Sequence, residues 1–432
     1  MLGSTWTFNR RLYGLVIVIA CVCALLLGLT WLQGPRIRSA SYDPVKLATE
    51  AGQRVILRTN QPIGAVEESD IVITPAVDFK AVGSGNTVIL QFAQRLQYQT
   101  AYTIAIKADD GRPLKRTFET ASPALYYLRE DKKGDEIHYR TLSDGGDTVV
   151  YRASNIVDFL AMGDTLVVQT AETETNHTLR LITLPSAKEK NVRLPVAGTI
   201  ADLHKSPNNQ RFGFTISRYG GTPKEQRVLS IYDVATHKYG PLRSFDDSYL
   251  QVLDWQFSPD NKTVLAQTID TTVLAVDSMS NEIKPLGQFV AIDGVMFNGS
   301  EALLTDKREG KILLDLQTLE RRSLQAGPST SGVYTTQTDP LQQSEGLVQL
   351  TQSIEGGVSR QQLAIGTDEA FYEARNPDKI VVSSVLSAND QYTAVQTRGS
   401  FSVGDNEYRT DIVNIATGRI ITTIHAGIVR WQ

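Results

Sequence analysis

Apolar and polar positions fall into two regimes along the first part of the chain. From Leu12 to Leu32 the run LYGLVIVIACVCALLLGLTWL carries no charge. At 1.5 Å rise per residue, about 20 such residues cross a bilayer core of roughly 30 Å. From Gln53 onward the period drops to two: Val55, Leu57 and Thr59 alternate with Ile56 and Arg58, and the same beat returns at Val88, Leu90, Phe92 and at Tyr102, Ile104, Ile106. Such alternation is the mark of a strand with one face buried. Asp109-Asp110-Gly111 signals a tight turn before Thr117–Thr120. Short strands, turn signals and no helical period predict a β-sandwich over residues 44–122, with Pro35–Asp43 as a short linker.

Past Pro123 the pattern becomes a repeat. An apolar strand, a small polar turn and a second apolar strand recur as VDFLAMGDTLVVQT (157–170), IADLHKSPNNQRFGFTIS (200–217) and LDWQFSPDNKTVLAQT (253–268). They return as IDGVMFNGSEALLTD (292–306) and VVSSVLSANDQYTAVQT (381–397). A second unit, a hairpin around a D/T/G-type turn, alternates with the first, as in RVLSIYDVATHKYGPL (227–242) and TDIVNIATGRIITTI (410–424). The gap between Asp293 and Ser383 leaves room for one more unit, beginning near Val333. Four short strands every 40–50 residues or so are the signature of a propeller blade. Counting outer hairpins predicts seven blades over residues 124–432, with six or eight as alternatives. The first hairpin lacks an innermost strand, and the closing letters GIVRWQ resemble the opening of a repeat. Residues 427–432 are therefore expected to pair with Leu125–Leu128 and close the ring, because an unpaired sheet edge is a liability.

The apolar run admits three readings. A cleaved secretory signal has a shorter apolar core, of about 7–15 residues. Val18-Ile19-Ala20-Cys21 resembles a lipobox, but a long apolar tail follows it. A signal anchor accounts for the whole run, with residues 1–11 as a cytoplasmic tail, 12–32 as the membrane span and everything after it extracytoplasmic. Arg10 and Arg11 on one side are balanced by Arg36 and Arg38 on the other, so charge asymmetry barely sets the orientation.

Several segments resemble known families. RTNQPI (58–63), ITPAV (73–77), NTVILQFAQRLQYQTAYTIAI (86–106) and TFETASP (117–123) resemble bacterial Ig-like domains of the envelope-protein type, which implies a spacer or adhesion module. The SPNN and SPDN turns, with the D-x-x-T-type outer hairpins, resemble the WD40-like propellers of periplasmic translocation-associated proteins. That family carries an α/β domain where this chain has a sandwich and an apolar run.

Charge and candidate chemistry change this picture little. The net charge is −4, with 43 basic residues against 47 acidic ones, which argues against a nucleic-acid partner. The two cysteines, Cys21 and Cys23, lie inside the apolar run and leave the rest of the chain without thiols. Five histidines (His138, His177, His204, His237 and His425) show no metal-binding spacing and read as surface or hairpin residues. No G-x-S-x-G elbow is present, and the paired acids Glu67-Glu68, Asp109-Asp110 and Asp246-Asp247 sit in turns. Asp158, Asp202, Asp254 and Asp293 recur at one blade position, which reads first as a structural device and second as a ring of carboxylates. Trp255 and Trp431, at matching positions, read as packing between blades. No catalytic, cofactor-binding or metal residue is assigned. The expectation is a single-pass protein of the bacterial cytoplasmic membrane, all-β beyond its helix, that binds a protein or glycan partner in the envelope. The alternative is a propeller hydrolase or lyase acting on an envelope sugar or lactone.

Overall fold

The structure is a computed structural model, and it describes residues 12–23, 34–107, 113–130, 134–194, 197–296, 299–323, 333–334, 348–355, 358–365, 370–374, 379–399 and 408–432. Residues 12–23 are helical, while 24–32 of the expected membrane span lie outside the described residues. Among the described residues no helix is long and apolar enough to cross a membrane. The chain divides into two compact units, 1–121 and 122–432.

Among the described residues the first unit holds two antiparallel sheets. One runs Ile37–Ser41, Arg54–Thr59, Thr87–Phe92, Phe79–Ser84, and the other Ile71–Thr74, Ala101–Lys107, Pro113–Glu119. Their inward positions, among them Leu57, Leu90, Ile73, Ile104 and Phe118, share one core. The alternation buries every second residue, as in Val55, Leu57 and Thr59, because successive side chains leave a strand on opposite faces. Within the stretch read from the sequence as a linker, Ile37–Ser41 is a strand paired with Arg54–Thr59. The short helix Pro44–Thr49 follows it, and Asp43 caps that helix by accepting from the backbone of Val45 and Lys46.

Among the described residues the second unit contains seven four-stranded antiparallel sheets. Six are meanders of consecutive strands: blade 2 (Ile156–Val192), blade 3 (Gly198–Pro241), blade 4 (Val252–Gln288), blade 5 (Ala291–Ser323), blade 6 (Val333–Glu373) and blade 7 (Lys379–Ile424). Blade 1 is assembled from both ends of the unit. Ala124–Arg129, Asp135–Thr141 and Asp147–Ala153 take Ile428–Trp431 as their innermost strand, with Ile428 opposite Leu128 and Trp431 opposite Leu125. The inner strands of blades 1 to 5 touch in order, and that of blade 1 also touches that of blade 7. This is a β-propeller.

Its core is cut into wedges between neighbouring blades. Phe159 and Val168 of blade 2 pack with Tyr126 and Ile137 of blade 1, and Phe212 and Phe214 of blade 3 with Leu179 and Leu181 of blade 2. Trp255 and Phe257 of blade 4 pack with Leu229 and Ile231 of blade 3. Each fully buried side chain of this size contributes about 1.5–3 kcal/mol, so the wedges hold the ring together. The fit is close at Gly213, where an added Cβ would lie 2.5 Å from the Trp255 ring and 2.7 Å from Ile231.

The repeated turns follow from their letters. In SPNN, SPDN and SAND the serine N–H donates across the turn to Arg211, Thr263 and Tyr392 carbonyls. Asn209, Asn261 and Asp390 take the left-handed conformation (φ 56°, 61° and 60°) that Asn and Asp tolerate best among side-chain-bearing residues. In the outer hairpins Asp233, Asp277, Asp315 and Asn414 each accept from the backbone two and three, or three, residues on.

Candidate functional site: the central channel and the loop edge

A meander places the start of each inner strand on the same edge of the propeller as the loop between second and third strands. We call this the loop edge, and the other the turn edge. Inner strands line the channel between them. In blades 2, 4 and 7 the inner strand is bulged at Val157, Leu253 and Val382, and the next residue, Asp158, Asp254 or Ser383, faces Gln169, Gln267 or Gln396. The extra residue is what re-aims the following side chain.

This register corrects the apparent ring of equivalent aspartates. Asp158 and Asp254 share a position, Asp202 lies within the irregular stretch between Ala201 and His204, and Asp293 is itself the bulged residue. A one-residue shift exchanges the faces of a strand, and Asp293 is accordingly buried, bonded to Thr305 at 2.5 Å and paired with Lys311. Asp158 pairs with Arg430 at 2.9 Å, across blades 2 and 1. Asp202 pairs with Arg227 at 2.8 Å and accepts from Thr215. Asp254 accepts only from the Trp255 N–H among the described residues. Burial raises its pKa above the usual carboxylate range, and the nearby charges of Asp202 and Asp293 add to the effect.

The glutamines opposite the bulge have a second role that the sequence reading missed. Gln169 donates to Ile200 O at 2.9 Å, Gln267 to Phe289 O and Val290 O at 2.8 and 2.9 Å, and Gln396 to Gly427 O. Each bond staples a blade to the first residues of the next. Blade 3 has Thr215 in place of the glutamine, and Arg227 there donates to Val252 O instead. The recurrence of AQT and VQT in second strands was the available signal.

The histidines divide. His425 is exposed and His237 sits in an outer hairpin, as their context suggested. His138 is instead buried, stacked on Tyr127 with ring centroids 5.0 Å apart and bonded to Glu136 at 3.0 Å. His177 bonds Gln169 and the Ile200 backbone, within the staple between blades 2 and 3. His204 is partly buried beside the channel, its ring edge-on to Trp255 at 5.0 Å. Burial lowers its pKa, and Arg430 adds to that. Trp255 is fully buried against blade 3, and the Trp431 indole donates to Val385 O of blade 7 at 2.8 Å. Asp109 and Asp110 lie outside the described residues. Among the described residues, no group of three or more His, Cys, Asp or Glu side chains is placed to hold a metal ion.

The two edges differ. On the turn edge the channel opens into a cavity of about 370 Å³, lined in part by Asp158, Asp202, His204, Lys205, Arg430 and Trp431. On the loop edge, apolar side chains stand in solvent on successive loops and strand starts: Tyr219 (75% exposed), Phe245 (64%), Tyr249, Leu253, Ile269 and Val290. The same edge carries a hollow of about 640 Å³ between blades 7 and 1, bordered by Val382, Tyr408 and His425.

No family model matches the chain, and no curated protein matches it in sequence. Among solved structures, the chain is similar to TolB from Acinetobacter baumannii, at 13% identity over 84% of this chain and 82% of that one, with a TM-score of 0.42. It is also similar to the Swd1 β-propeller domain of Myceliophteria thermophila (13% identity, 64% and 89% of the two chains, TM-score 0.41). A prolyl endopeptidase matches at 9% identity over 77% of this chain and 49% of its own, with a TM-score of 0.49.

Proposed function

We propose that this chain is a membrane-anchored binding or scaffold protein of the bacterial cell envelope, which presents the loop edge of its propeller to a protein partner. The observation that carries this reading is the run of exposed aromatic and aliphatic side chains on that edge, from Tyr219 through Phe245 and Tyr249 to Ile269 and Val290. Solvent-exposed apolar groups gathered on one surface favour association, and aromatic residues are the usual anchors of such contacts. In this reading the first unit is an Ig-like spacer, and residues 12–32 are the anchor, consistent with their uncharged apolar sequence.

The test is photo-crosslinking in the native envelope from single positions. Probes at Tyr219 and Phe245 are expected to trap one discrete partner, while probes at Ala187 and Thr236, on the turn edge, trap none. Equal crosslinking from both edges would overturn the assignment.

A second reading, a hydrolase or lyase, is favoured by Asp254, a channel carboxylate with a raised pKa, the property of a general acid. Its neighbours in the channel are held in ion pairs, which speaks for a structural role. Turnover of an envelope sugar or lactone that disappears in Asp254→Asn would establish the enzyme.

A further inference from the structure

The cavity on the turn edge combines apolar walls with polar groups of both signs. Leu160, Leu203, Val385 and Leu386 supply the walls. Asp158 spends Oδ1 on Arg430 and on the Phe159 N–H, and Asp202 spends Oδ2 on Thr215 and Arg227. Among the described residues no group donates to the other oxygen of either carboxylate. The His204 ring is only partly covered, borders the same cavity and makes no hydrogen bond to a described residue, so its nitrogens are open to a ligand there. On the same wall stand two cations, Lys205, which donates to Ala161 O at 2.7 Å, and Arg430, which donates to Phe159 O at 3.2 Å. Asp158 and Asp202 on one part of the lining and Lys205 and Arg430 on another present both signs of charge, with Arg227 behind Asp202, so the cavity suits a ligand that carries both signs.

We propose that this cavity binds a small zwitterion with an apolar side chain, a free amino acid or a dipeptide. Its ammonium is held by Asp202, Asp158 and the His204 ring, and its carboxylate faces Lys205 and Arg430. A volume of about 370 Å³ sits at the small end of ligand pockets, which run from about 300 to 1,000 Å³, and suits a ligand of that size. The apolar wall receives the side chain, and the desolvated charges provide the discrimination, because a missing polar partner leaves its counterpart unpaired. This site lies on the edge opposite the proposed partner face, so either assignment can fail without the other.

The experiment is a calorimetric titration of the full-length protein with Leu-Leu, N-acetyl-Leu-Leu, Leu-Leu-amide and the doubly blocked N-acetyl-Leu-Leu-amide. Leu-Leu is expected to bind at least tenfold more tightly than the doubly blocked peptide, with each single block intermediate. Free leucine in a parallel titration separates an amino acid from a dipeptide as the better ligand. Asp202→Asn is expected to weaken Leu-Leu tenfold while leaving N-acetyl-Leu-Leu unchanged, which a general loss of structure would not do. Ala388→Leu, at the rim, is expected to block all four. Equal affinities across the four peptides, or an Asp202→Asn effect that is the same with and without the ammonium, would overturn the proposal.

Discussion

Blade 4 and blade 1 are the same four-stranded sheet reached by opposite routes. In blade 4 every strand follows its neighbour through a short turn, and all its ladders close between Val252 and Gln288. In blade 1 the inner ladder joins Leu125–Leu128 to Ile428–Trp431, across nearly the whole propeller. Local ladders form at small loop-closure cost, whereas this one requires the other blades to be in place first. The difference shows where a propeller is vulnerable: a blade made of neighbours can tolerate loosening, but the blade that joins the two ends carries the closure of the ring.

The sharpest way to break the comparison is to remove residues 427–432. Trp431 and Val429 are buried, and their loss uncovers Leu125 and Tyr127. The cost is expected to exceed the about 3–5 kcal/mol of truncating one buried tryptophan, and the melting transition of the propeller should fall and broaden. An unchanged melting curve would refute the closure role.

Next in size is Gly213→Ala, which tests how tightly blade 4 is wedged against blade 3. Its Cβ would meet Trp255 at 2.5 Å and Ile231 at 2.7 Å. Overpacking of this kind costs about 1–3 kcal/mol, readable as a lowered denaturation midpoint.

A smaller effect distinguishes the two blades through their staples. Gln267→Ala removes bonds between blades 4 and 5, and Gln396→Ala removes the one that holds Gly427 at the closure. Each is expected to cost about 0.5–1.5 kcal/mol at equilibrium. Only Gln396→Ala should speed exchange of the amides of Ile428–Trp431 selectively, which hydrogen exchange would measure.

The smallest effect is in the turn of blade 4. The Ser280 N–H, with that of Met279, holds the Asp277 carboxyl below the usual carboxylate range. Because its folded pKa is depressed, its contribution is fully present above the unfolded carboxylate pKa of about 4. It is lost as pH falls through the folded value. Asp277→Asn should therefore be slightly less stable at pH 7, with the difference shrinking as pH falls below about 4 and its acid unfolding correspondingly flatter. Identical acid titrations of the two proteins would show that this turn contributes nothing.

The propeller was legible because its information is local and repeated. Serine-led turns with Asn or Asp at the left-handed position, Asx turns in the outer hairpins and alternating apolar strands each state their geometry within a few residues. The strand Ile37–Ser41 was not legible, because its pattern of buried and exposed residues is irregular and its pairing with Arg54–Thr59 supplies the order. The aspartate positions were half legible. Their recurrence could be read, but the bulges that set Asp293 apart from Asp158 and Asp254 exist only in the ladder register.

By itself, then, the amino-acid sequence determined what short-range sterics and periodicity control: strands, turns, the repeat and the number of hairpins. Tertiary structure alone decided which side chains meet in the channel. Asp158 finds Arg430 and His204 packs against Trp255 through contacts between blades, while Asp202 finds Arg227 across the register of its own blade. The reason is physical. Spacing along a strand fixes which face a residue takes, but the partner on that face comes from another sheet, and only the closed ring brings the two together.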